Sequence, residues 1–190
     1  MAKVHLALGL GYPNLCPNPL LEEDASGWSY SSSTAASGTR IMVTPGSVDG
    51  DPGFDHPLAR FAYRIRWFDV DIAPRAYLPH AAVTPGQSIT FSVDWKNPGA
   101  YLGSADIKIQ WYDGNTYLGT ATPDTHEPAE LTGANTVDRW LRSYTKVTVP
   151  SGANTARVLV DCIGMDGDDT YLTNARYIVN GPIGTKNELS

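Results

Sequence analysis

Wherever this chain shows a clear hydrophobic period, the period is two. Ser88 to Trp95 is the cleanest case: Ile89, Phe91, Val93 and Trp95 alternate with Ser88, Thr90, Ser92 and Asp94. A β-strand sends successive side chains to opposite faces, so such a stretch buries one row and presents the other. The same alternation sets Phe61, Tyr63, Ile65 and Trp67 against Ala62, Arg64 and Arg66, and aligns Ile107, Ile109 and Trp111. Thr84-Pro85-Gly86-Gln87 is a turn signal, with Pro fixing φ and Gly supplying a positive φ. Asp113-Gly114-Asn115 is another, leading into residues 116–121 as a hairpin. Shorter candidates at 28–32, 39–44, 76–83 and 170–179 bring the total to about ten strands, a spacing that suits a sandwich or a barrel. No helical period lasts three turns, and residues 127–131 offer one turn at most.

Composition narrows the function classes. With 190 residues and 42% hydrophobic content the chain can bury a substantial core, while only 18% of residues are charged. Abundant Gly, Pro, Tyr and Trp match an all-β domain that recognises something. The net charge of -6 and the lack of a Lys/Arg cluster leave nothing to grip a phosphate backbone, so nucleic acid is not an expected partner. No apolar run approaches the roughly 20 residues of a membrane span. Val4 to Leu10 is mildly apolar but contains a His and runs into Gly-Tyr-Pro, so it reads as an N-terminal arm rather than a signal segment. Cys16 and Cys162 read as free, buried thiols.

The sequence carries no recognisable catalytic pattern. His5, His56, His80 and His126 are scattered, without HxH or HExxH, and GxSxG, phosphate-loop and GxGxxG patterns are missing. The acidic loops Asp49/Asp51/Asp55 and Asp166/Asp168/Asp169 do not continue as calcium loops and are read as turn formers. The expectation is a protein that is not an enzyme.

Residues 140–163 read as two strands joined by Pro150-Ser151-Gly152-Ala153-Asn154. Trp140, Arg142, Tyr144 and Lys146 share the face opposite Leu141, Ser143, Thr145, Val147 and Val149. Rings and cations facing outward point to binding. The candidate glycan- or partner-binding set is therefore Tyr112, Trp140 and Tyr144, with Asp113 and Arg142 as polar neighbours. Leu159 and Ile163 point opposite to Val158, Val160 and Cys162, which makes that outer face a candidate protein contact. Trp28, Trp95 and Trp111 belong to core rows.

Several quoted segments together resemble the jelly-roll carbohydrate-binding modules that accompany xylan- and glucan-degrading enzymes. Asn14-Leu15-Cys16-Pro17-Asn18-Pro19-Leu20-Leu21-Glu22 with Gly27-Trp28 is similar to that family's N-L-x-x-N-P-x-x-E opening. Residues 83–92 (VTPGQSITFS) resemble its central strand, and Ile109-Gln110-Trp111-Tyr112-Asp113, Trp140-Leu141-Arg142 and Val149-Pro150-Ser151-Gly152-Ala153 resemble its later landmarks. The resemblance implies an all-β jelly-roll β-sandwich of two antiparallel sheets over residues 14–180, with an arm at 1–13 and a flexible tail at 181–190. Similar modules occur on bacteriophage head and tail surfaces. The leading expectation is therefore a non-catalytic virion structural protein, a capsid decoration or minor tail component. Its expected partners are other virion proteins and host-surface glycans, with a homo-oligomer left open. A free-standing or enzyme-associated polysaccharide-binding module, extracellular, is the alternative; a glycoside hydrolase or lyase is the third reading. The family often closes on Tyr-x-Asp-Asn-Val, whose Asp joins the opening Glu at a structural calcium. Here Thr173 stands at that Asp and Glu22 is retained, so calcium is not favoured and no cofactor is expected.

Overall fold

Burying the row Ile89, Phe91, Val93 and Trp95 requires a second apolar layer facing it, and the chain supplies one by folding into two sheets. The computed structural model describes residues 14–31, 36–42, 56–67, 75–96, 104–126, 140–163 and 170–179. Expectations for both terminal segments, the acidic loops and residues 127–131 lie outside these. The first five strands are β1 (Ser29–Tyr30), β2 (Ala36–Met42), β3 (Phe61–Trp67), β4 (Arg75–Ala82) and β5 (Ser88–Lys96). The second five are β6 (Ser104–Asp113), β7 (Thr116–Ala121), β8 (Leu141–Thr148), β9 (Thr155–Ile163) and β10 (Thr170–Val179).

One sheet has the order β1-β4-β9-β6-β7 and the other β2-β3-β10-β5-β8, with every pairing antiparallel. This is the expected all-β jelly-roll sandwich. Phe91 packs edge-on against Tyr177 at 5.1 Å and against Trp111 at 6.3 Å, joining β5, β10 and β6 across the interior. Trp28, Trp95 and Trp111 are buried there as their alternation requires, and the Trp95 indole donates to Ser143 Oγ at 2.9 Å. Each such side chain stabilises the fold by about 1.5–3 kcal/mol relative to exposure. Cys16 and Cys162 are buried free thiols; burial pushes the Cys16 thiol up to about 12 and raises Cys162 as well.

The opening residues act as a staple. A bulge between Thr173 and Arg176 interrupts the β10–β5 ladder, and Asn174 there adopts a φ of 50°. Asn14 restores partners for the backbone nearby: its Oδ1 accepts from Tyr177 N at 2.9 Å and its Nδ2 donates to Ala175 O at 2.8 Å. The Trp28 indole donates to Asn18 O at 2.8 Å, fixing the turn that leads into β1.

The two turn signals also meet. Gly86 has φ 80°, and its N–H donates to Val149 O at 2.9 Å beside the Pro150–Ala153 turn. Gly27 has φ 81°, and a Cβ there would come within 2.9 Å of Pro79, whereas one at Gly86 would meet nothing within 4 Å. Gly86→Ala should therefore cost about 1–2 kcal/mol through backbone strain alone. Gly27→Ala should cost about 1–3 kcal/mol more, because β4 must shift as well. Urea unfolding of both variants checks the order.

Candidate functional site

A sandwich has two outward faces, and the sequence-derived set divides between them. Trp140, Arg142 and Tyr144 lie on or beside β8, on the outside of the β2-β3-β10-β5-β8 sheet. Tyr112 and Asp113 lie at the end of β6 in the other sheet.

The β8 side is closed over rather than open. Thr90, Ser92, Asp94 and Lys96 form the outward row of β5, and all four are buried. Asp94 is the hub. Arg142 donates to it through Nε at 2.6 Å and Nη2 at 2.9 Å, and Asn174, re-aimed by the bulge, donates from β10. His56 completes the set with Nε2 3.2 Å from Asp94 Oδ2. The N–H groups of Leu58 and Ala59 both point at His56 Nδ1, at 3.0 and 2.9 Å, so the ring proton sits on Nε2 and is donated to Asp94. Burial alone would raise the Asp94 carboxyl, but the His56 and Arg142 hydrogen bonds and the Arg142 charge outweigh it and hold it below the usual range.

This arrangement corrects the picture of rings and cations left in water. Trp140 is 3% exposed, grouped with Ala62 and Tyr171, and meets the His56 ring edge-on at 4.7 Å. Tyr144 stacks on His126 at 5.0 Å, and the two exchange backbone hydrogen bonds of 2.8 and 3.0 Å along the β8 edge. Alternation placed these side chains outward correctly; the covering segments at 56–60 and 122–126 carry no periodic signal. The Leu159 and Ile163 reading changes too. Leu159 is 4% exposed, set between Tyr77 and Lys108 with Arg157 and Asp161 on either side along its strand, so it presents no apolar contact surface. The Ile163 side chain lies outside what is described.

The outer face of the β1-β4-β9-β6-β7 sheet is different in kind. Rings line up across its strands: His80 on β4 lies 5.2 Å from Tyr112 on β6, and Tyr112 lies 5.6 Å from Tyr117 on β7. Tyr112 faces Thr155 in register while His80 faces Arg157, one outward position along, so the two rings meet diagonally over β9. Tyr117 is 53% exposed and its neighbour Leu118 is 46% exposed. Hydroxyls are anchored alongside, Tyr112 to Gln110 Oε1 at 3.0 Å and Tyr117 with Thr120 at 2.6 Å. Asp113 is engaged at the hairpin tip, accepting from Asn154 Nδ2 at 2.6 Å. Further along the same face, Asp161 is held by Arg75 and Lys108, while Arg157 lies over the Tyr77 ring at 4.4 Å. His80, Tyr117, Tyr77 and Arg157 were not singled out from sequence. Tyr117 was reachable, because the Asp113-Gly114-Asn115 turn sets it directly across from Tyr112.

Beside Glu22 and Thr173, which the family resemblance links to a structural calcium, the described residues place an arginine. Leu21 O accepts from Arg40 Nε at 2.6 Å and Glu22 O from Arg40 Nη2 at 2.9 Å, and the guanidinium lies 3.4 Å from the Phe61 ring centre. Thr173 Oγ1 donates to Phe61 O at 2.8 Å, and the Glu22 side chain is exposed. A fixed cation already holds these carbonyls and would repel another. Among the described residues no group of three or more His, Cys, Asp or Glu could hold a metal.

No family model and no curated protein matches the sequence. Solved structures do match, and several of them are carbohydrate-binding modules. One is the C-terminal family 22 carbohydrate-binding module of the Clostridium thermocellum xylanase 10B, with TM-score 0.54 and 18% identity, covering 87% of this chain and 94% of that one. Another is the N-terminal CBM22-1–GH10 part of the same xylanase with xylohexaose, with TM-score 0.59 and 13% identity over 86% of this chain. A third is the enzymatically active domain of tailspike protein 4 of bacteriophage CBA120, with TM-score 0.58 and 14% identity over 87% of this chain. The chain spans only 28% and 21% of those last two. At these identities the likeness establishes the fold.

Two outcomes follow. Asp94→Asn should destabilise by about 3–5 kcal/mol by stranding Arg142 in a buried site, and Asp94→Asn with Arg142→Met should recover part of that loss. Because the folded carboxyl is depressed, its contribution is full above the ordinary value of 3.8 and is lost as pH falls toward the folded value. The double variant should therefore lose less stability than wild type on acidification, read by urea unfolding at several pH values. In thermal melts, calcium or a chelator should leave the midpoint unchanged, whereas Arg40→Ala should lower stability by about 1–2 kcal/mol.

Proposed function

We propose that this chain is a non-catalytic glycan-binding β-sandwich carried on a phage particle, a capsid decoration or minor tail component that reads host-surface sugars. The observation that carries the binding reading is the open row His80, Tyr112 and Tyr117. Aromatic rings stack on the apolar face of a pyranose, and fixed hydroxyls and amides select its hydroxyl pattern. The ring spacing lets one sugar touch two side chains, and Gln110 and Thr120 supply polar contacts at the margin. The absence of catalysis is argued from the same surface, where Asp161 is committed to two cations rather than poised to give or take a proton.

The particle reading draws on the motif resemblance to virion-surface modules and on the likeness to a phage tailspike domain. The xylanase modules favour a second reading equally, a free-standing or enzyme-associated polysaccharide-binding module. Mass spectrometry of purified particles from the source separates them: stoichiometric presence supports the first, and recovery only from the secreted fraction supports the second. For the site, Tyr112→Ala with Tyr117→Ala should weaken glycan-array binding by about tenfold or more while the fold persists. Trp140→Ala should instead lower stability by about 3–5 kcal/mol. Retained binding in the tyrosine pair variant would falsify this placement of the site.

A further inference from the structure

Resting on the glycan-binding reading, we infer that the sugar taken by this face is acidic, with its carboxylate received by Arg157. The outer face carries three cations close together, and their commitments differ. Arg75 Nε reaches Asp161 Oδ1 at 2.9 Å, and Lys108 ends on the other oxygen of the same carboxylate. Among the described residues Arg157 has no carboxylate partner. Its Nη2 donates to Ser29 Oγ at 2.8 Å, its guanidinium lies over Tyr77, and its Nε is buried without an acceptor.

A partly buried guanidinium without a counter-charge is an unfavourable thing to keep for stability alone. Here it is also pre-oriented, since stacking on Tyr77 and the bond to Ser29 fix its plane before any ligand arrives. Its position is central. His80 and Gln110 flank it in register on β4 and β6, and Tyr112 stands one outward position further along β6. A sugar stacked on the His80–Tyr112 pair therefore has its edge beside Arg157, where a carboxylate on that edge would complete the missing ion pair. The local potential agrees, because burial and then the Arg157 charge hold the His80 imidazole below its ordinary value.

The test pairs each acidic glycan with its own neutral counterpart. Binding of polygalacturonate, alginate, hyaluronan and glucuronoxylan is measured by affinity electrophoresis or calorimetry, each beside its carboxyl-reduced form, with a sulfated glycan as a further arm. At least one acidic form should bind about tenfold tighter than its reduced form, and added salt should erode the difference. Arg157→Gln should abolish the preference, Arg157→Lys should keep part of it, and circular dichroism should confirm that both fold. Equal binding of acidic and reduced forms, a preference confined to sulfate, or a preference surviving in Arg157→Gln would overturn the inference while leaving the glycan reading in place. Binding to none of the glycans, acidic, reduced or sulfated, would overturn both.

Discussion

The buried carboxylate of Asp94 decides how this sandwich divides its labour. A charge removed from water must be met on all sides, and Asp94 is met from two strands and one covering segment. Arg142 comes from β8, Asn174 from β10 and His56 from residues 56–60. Meeting those demands brings the covering segment down onto the sheet, with Trp140 beneath it. The outer face that looked best suited to a ligand is thereby spent on holding the chain together. The proposed recognition face is the opposite sheet.

The same hub explains why the opening motif reaches so far. Asn174 can turn toward Asp94 only because β10 bulges at that point, and the bulge leaves backbone groups that Asn14 must satisfy. A residue near the start of the described chain thus supports a network on the far side of β10. Arg40 plays a parallel part at the next turn, gathering the carbonyls of Leu21 and Glu22 as a covalently tethered cation. A tethered cation loses no translational freedom when it binds, so it holds this turn at little entropic cost.

The longer strands were legible because alternation is a local property, as in β3, β5, β6 and β8, and the jelly-roll pairing follows from resemblance. The sites were less legible, for a physical reason. Alternation states which face a side chain takes, not what lies over that face, so Trp140 and Arg142 were correctly turned outward and wrongly left in water. Leu159 failed in the same way, since its burial depends on Tyr77 and Lys108 from two other strands. The ring row is non-local as well, because His80 and Tyr112 are neighbours only through register across β9. The Tyr112–Tyr117 pair is the exception, fixed by a hairpin short enough to read directly.

Fold likeness alone does not choose among functions, since the same sandwich occurs beside a xylanase catalytic module and within a tailspike domain. The two outer faces of this chain differ in the state of their charges. On the β5–β8–β10 side the buried carboxylate is matched by donors, so that face has closed on itself. On the β4–β9–β6 side Arg75 and Lys108 share Asp161, while Arg157 has no carboxylate partner among the described residues and lies beside rings that are partly exposed. An unmatched charge beside exposed aromatics is the feature on which the proposed recognition of an acidic sugar rests.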